Sequence, residues 1–168
     1  MKIPDQQWQP VDRGAGGPLS VEGAVKELDV ENRSRYAPSK GVTWCNIFAW
    51  DVSVLVGSEV PHWRNERTGE PCAVGYGKEM RANDISSWMR TFGVGRGWRS
   101  VPRLVAGSIA RQGGLVLAVW SNPNGTGHVA VVLDTDRIAQ AGARNFSSGT
   151  VRDGFGSAIS ALEFFAHA

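Results

Sequence analysis

Two apolar runs lie close together in the chain, Leu115-Val116-Leu117-Ala118-Val119-Trp120 and His128-Val129-Ala130-Val131-Val132-Leu133. Short, β-branched runs of this kind read as buried strands. The seven residues between them, Ser121-Asn122-Pro123-Asn124-Gly125-Thr126-Gly127, are dense turn chemistry. The turn Asp134-Thr135-Asp136 then leads into a third strand over 137–141, and 161–165 reads as a last one. Everything upstream carries helical spacing instead. Ser20 reads as an N-cap with Glu22 in the first turn, and Ala24, Val25, Leu28 and Val30 mark an amphipathic helix to about Arg33. Thr43 reads as the N-cap of a second helix, with Cys45, Phe48, Val52 and Leu55 on its inward face and Gly57 as its stop. A third helix is expected over 83–92, with Ile85, Trp88 and Met89 inward, and a short one over 105–109. Helices first and antiparallel strands after give an α+β class, with N-terminal helices packed on an antiparallel β-sheet.

A chain of 168 residues suits one domain with a real core. Residues 1–19 are polar and rich in Gly and Pro, which reads as a flexible N-terminal arm, leaving 20–168 as a single domain. Residues 58–78 read as a long polar loop. The formal charge of +2, with arginines scattered, does not indicate a nucleic-acid partner. No stretch approaches the length of a membrane span, and the N-terminus carries no Sec-type signal. A soluble cytoplasmic product is expected, released or exported by another route. Two cysteines outside any CxxC pair give no disulfide framework and no structural zinc site. Trp63 and Trp98 fall in loop-like stretches, where they either line a groove or cap small cores.

Cys45 and His128 carry the chemistry. A thiol becomes a nucleophile when an imidazole takes its proton. The first turn of a helix offers Cys45 a positive dipole end and unpaired N–H groups, which serve the thiolate and a developing oxyanion. His128 opens a strand whose Ala130 and Val132 share its face. A base needs a partner for its second ring nitrogen. In a hairpin centred on Asp134, Gln140 sits directly opposite His128; centred on Thr135, it sits diagonally. Either way the two share a face. Taken singly, a buried Cys is a small hydrophobe and a strand-opening His is a satisfied core residue. Their order and placement together favour catalysis. Cys72, in a loop, reads as non-catalytic. Asp51 reads as support for the Cys45 segment.

The residues Cys45 opening a helix, Gly127-His128-Val129-Ala130-Val131-Val132, and Gln140 on the next strand resemble the NlpC/P60 and CHAP group of papain-like peptidoglycan hydrolases, over about 36–145. The resemblance implies a papain-like α+β fold. It implies cleavage of amide bonds in the peptide stems of peptidoglycan, without a cofactor. Cys45 would be nucleophile, His128 base and then acid, and Gln140 the residue orienting it. Tyr36 stands where many relatives carry an oxyanion-assisting tyrosine. Asn46 joins Tyr36 and Asp51 as oxyanion or supporting residues, and Trp44, Trp63 and Asn145 are candidate groove residues. The usual Asp-Cys-Ser signature reads Trp44-Cys45-Asn46 here. Compact endolysins and secreted amidase effectors of this kind act on the wall as monomers, and an effector has an immunity protein as a further partner.

Three other readings compete. A zinc amidase would draw on His62, His128, His167, Cys45 and Cys72. A deamidase or transglutaminase-like toxin would share the acyl-enzyme chemistry. A non-catalytic wall-binding module would use the loop aromatics for sugar stacking.

Overall fold

Strand β4 (Leu115–Trp120) is buried from Leu115 to Val119 because both faces of its sheet are covered. The computed structural model describes residues 9–12 and 14–168. Part of the arm expected over 1–19, namely 1–8 and 13, lies outside these. The described helices are α1 (Val21–Leu28), α2 (Cys45–Val56), α3 (Ala82–Trp88), α4 (Arg103–Arg111) and α5 (Val151–Phe155). A two-stranded ladder pairs β1 (Trp63–Arg64) with β2 (Lys78–Glu79). The main sheet adds to β4 the strands β3 (Trp98–Val101), β5 (His128–Val132), β6 (Arg137–Gln140), β7 (Phe146–Thr150) and β8 (Glu163–His167). Its order is β3-β8-β4-β5-β6-β7, antiparallel throughout. The class is α+β.

Alternation along the strands divides the core in two. Leu115, Leu117, Val119, Val129, Val131 and Ala139 face α1, α2 and α3. Val116, Ala118, Ala130, Val132 and Ile138 face α4 and α5. The expectation of N-terminal helices on the sheet holds for the first face. The second layer was not expected, because α5 is only five residues long and follows a strand with a single buried residue.

Helix α2 is the central element. Of its residues only Asn46 and Val56 escape full burial, since the sheet lies on one side and α1 on the other. A single inward face was expected, and the helix instead buries nearly its whole circumference. Gly57 ends it at φ 87°, as expected for a left-handed C-cap. The N-cap is Trp44 rather than Thr43, and it offers no side-chain hydrogen bond. Ser20 caps α1 as expected, its Oγ accepting from Gly23 N–H at 3.0 Å, but that helix stops at Asp29 (φ 44°) rather than Arg33.

Residues 58–78 are more than a loop. They carry β1, reach β2 and are tied to the body: Val60 N–H donates to Ser53 Oγ (2.9 Å) and Trp88 Nε1–H to the Gly69 carbonyl (3.1 Å). Part of the N-terminal arm also touches the domain. Leu19 N–H donates to the Leu55 carbonyl at 2.8 Å, and the Gln9 carbonyl accepts from Arg35.

Candidate active site

The β5–β6 hairpin pairs Val131 with Ala139 and Val132 with Ile138, so its centre is Thr135. Gln140 therefore lies diagonally from His128 on the α5 face of the sheet. The two side chains meet: His128 Nε2 and Gln140 Oε1 are 2.6 Å apart. The hydrogen-bond network fixes the proton. Gln140 Nε2–H donates to the Arg144 carbonyl at 2.9 Å, and a carbonyl can only accept. The amide oxygen must then face the ring, so His128 Nε2 carries the hydrogen and donates it. Nδ1 is left as the basic nitrogen.

Two glycines and an aromatic ring confine this pair. A Cβ on Gly154 would stand 2.5 Å from Gln140 Oε1, and one on Gly142 would stand 3.0 Å from Gln140 Nε2 and 3.4 Å from His128 Cε1. Phe155 meets the imidazole edge-on, with centroids 4.9 Å apart. Sequence reasoning missed all three. Gly142 follows the strand directly and could have been suspected, whereas Gly154 and Phe155 sit on a helix beyond β7, with no local signal to connect them.

Cys45 is the first residue of α2 and is buried on the other face of the sheet. It approaches β5 at Val129, the residue after His128. Burial pushes the thiol pKa up; the backbone N–H groups of Val129, Asn46 and Cys45 oppose this. The missing side-chain cap matters here, because it leaves first-turn N–H groups for the sulfur. Burial likewise pushes the His128 pKa down, against a smaller opposing effect of the Gln140 hydrogen bond. An ion pair was expected, but burial favours a neutral thiol and a neutral imidazole. Among the described residues the ring is hydrogen-bonded to Gln140 and not to the thiol. The site thus joins His128 to Gln140 directly and brings Cys45 to the neighbouring residue of the same strand end.

The remaining candidates are placed as follows. Tyr36 is fully buried and donates its hydroxyl to Asp51 Oδ2 at 2.5 Å. Burial and the Asp51 charge push its pKa far up. Its single proton is committed to a carboxylate, which corrects the expectation of an oxyanion donor. Asp51 also accepts from Arg35 at 2.6 and 2.8 Å. Burial raises its pKa while Arg35 opposes that, and the trio fastens the 34–36 turn to α2. Asn46 Nδ2–H donates to the Met80 carbonyl at 3.0 Å, so its side chain is support rather than an oxyanion group.

The three groove candidates fare differently. Trp44 is half-buried, with Nε1–H donating to the Ala37 carbonyl at 3.0 Å. Trp63 lies in β1 beside His62, with ring centroids 6.2 Å apart. Asn145 is a clamp: Nδ2–H donates to the carbonyls of Val30 (3.2 Å) and Tyr36 (2.7 Å), and Oδ1 accepts from Gly142 N–H (2.9 Å). That corrects its assignment to a groove, since its amide is spent on backbone. Trp98 is buried against His167 and caps the core.

Among the described residues no group of three or more His, Cys, Asp or Glu side chains could hold a metal ion, so the competing zinc reading has no ligand set there. Among the same residues no helix is long and apolar enough to cross a membrane. No family model matches the chain, and no curated protein matches it.

Proposed function

We propose that this protein is a papain-like thiol hydrolase that cleaves amide bonds in the peptide stems of peptidoglycan. The observation that carries the reading is the Gln140-held imidazole, whose Nδ1 is left basic at the strand end reached by the Cys45 thiol. The choice of peptidoglycan rests on the likeness of the Cys45 helix, the Gly127–Val132 string and Gln140 to NlpC/P60 and CHAP hydrolases.

The proposed chemistry uses these groups in the following order. As the sulfur attacks the scissile carbonyl carbon, its proton passes to His128 Nδ1. The oxyanion takes hydrogen bonds from backbone N–H groups at the start of α2. Collapse breaks the C–N bond, and the leaving amine takes the proton back from His128. Water then attacks the thioester with His128 as base, releasing the carboxylic acid and restoring the thiol. Gln140 holds the Nε2–H throughout, so that only Nδ1 gains and loses the proton.

The test is clearance of purified sacculi by the wild type, Cys45→Ala and His128→Ala, with and without iodoacetamide or EDTA. Loss of either side chain should reduce the rate by at least about 100-fold. Iodoacetamide should abolish clearance and EDTA leave it intact. Clearance by Cys45→Ala at the wild-type rate would overturn the reading.

A further inference from the structure

The strand end that carries His128 is held from outside the sheet. Asn83, in the first turn of α3, directs its whole amide at the loop that launches β5. Its Oδ1 accepts from Asn122 N–H at 2.8 Å, and its Nδ2 donates to the carbonyls of Asn122 (3.0 Å) and Gly125 (2.8 Å). The fit is closest at Gly127, the residue before His128. A Cβ there would stand 2.3 Å from Asn83 Oδ1 and 2.4 Å from the Trp120 carbonyl. The helix bearing Asn83 is itself anchored, with Ala82, Ile85 and Trp88 in the core.

Three residues upstream, the same segment grips the other half of the site. The Met80 carbonyl accepts from Asn46 Nδ2–H at 3.0 Å, and Asn46 follows Cys45. Segment 80–83 therefore runs from the start of the cysteine helix to the start of the histidine strand. Cys45 and His128 lie on opposite faces of the sheet, and the β5 ladder alone does not fix how far the thiol stands from the ring.

We infer that Asn83 is a positioning residue, and that segment 80–83 is a strap that sets the approach of the His128 imidazole to the Cys45 thiol. The inference rests on the thiol mechanism proposed above. Asn83 touches neither reacting atom, and it acts by fixing where the chain leaves the 121–127 loop.

The experiment is the rate of Cys45 carboxymethylation by iodoacetamide between pH 5 and 10, read by peptide mass. Cys72, half-buried and unpaired with Cys45, reports global loosening in the same sample. The proteins are the wild type, His128→Ala, Asn83→Ala, Asn83→Asp and the double variant Asn83→Ala/His128→Ala. Asn83→Asp keeps the acceptor for Asn122 N–H and loses both donors.

His128→Ala is expected to slow Cys45 at pH 7 about tenfold, through loss of the base that takes the thiol proton as the sulfur attacks. Asn83→Ala should slow it about fivefold and move the profile to higher pH, with Cys72 unchanged and no further effect in the double variant. If Asn83→Ala accelerates Cys72, and so has loosened the fold, the same reading is taken from Asn83→Asp. Wild-type Cys45 reactivity in an intact Asn83 variant, or slowing that adds to that of His128→Ala, overturns the strap. No slowing by His128→Ala overturns the thiol mechanism itself, and the strap with it.

Discussion

Gln140 is a neutral group buried beside the base, and its neutrality has a measurable consequence. It accepts a hydrogen bond from the ring without adding a charge, so burial keeps the His128 pKa below its ordinary value. The acid limb of activity should therefore lie below about pH 6.5. Gln140→Glu would put a carboxylate there, favour the imidazolium and move that limb to higher pH; a limb that stays put would contradict the assignment. Gly154→Ala should push Gln140 off the ring and reduce kcat by at least about tenfold, because its Cβ would overlap Oε1. Tyr36→Phe distinguishes support from catalysis. It removes one buried hydrogen bond to a carboxylate, so stability to urea should fall by about 2 kcal/mol with kcat unchanged. A large drop in kcat at unchanged stability would return Tyr36 to the oxyanion. His128 and Gln140 were readable as a pair because strand parity is a local property of sequence. Gly154 was not, because its contact is made across an intervening strand and turn.

Among the elements, the segment from Gly57 to Met80 differs most from its sequence reading. It is polar in composition yet holds His62, which is 2% exposed. The ring lies tilted by 30° against Trp50, with centroids 5.3 Å apart, and meets Trp63 edge-on. Burial pushes its pKa down to about 4, although Glu79 lies 3.4 Å from Nε2. The sign follows from linkage. Between about pH 6.5 and 4 the unfolded chain takes up a proton at His62 that the folded chain refuses. Stability should therefore fall with pH across that window, by roughly 3 kcal/mol in all. His62→Phe keeps an aromatic ring beside Trp50 and should flatten the dependence of the urea midpoint on pH. An unchanged slope would show that His62 is not buried in solution. The segment was opaque in sequence because its packing is made by isolated side chains, without the periodicity that marks a helix or strand.

At the scale of the whole molecule, the sheet works as a partition between two packed layers. The cysteine helix lies on one face, with its thiol at the Val129 backbone, and the imidazole and its amide partner lie on the other. Strands β4 to β6 were legible as three apolar runs separated by turn residues. Strand β7 was not, because Phe146-Ser147-Ser148-Gly149-Thr150 has one buried residue and no apolar alternation. Nor was the edge strand β3, whose Arg99 and Ser100 are exposed. With β7 unread, the α5 layer that closes over Gln140 was unread as well. The proposed reaction is placed where β5 begins. The most direct measurement is mass spectrometry of the soluble fragments released from purified sacculi by the wild type and by Cys45→Ala. The account predicts fragments with a new amine and a new carboxylate at one stem-peptide bond, each cut adding one water, and none of them from the variant. The same fragments from both proteins, or none from either, would contradict it.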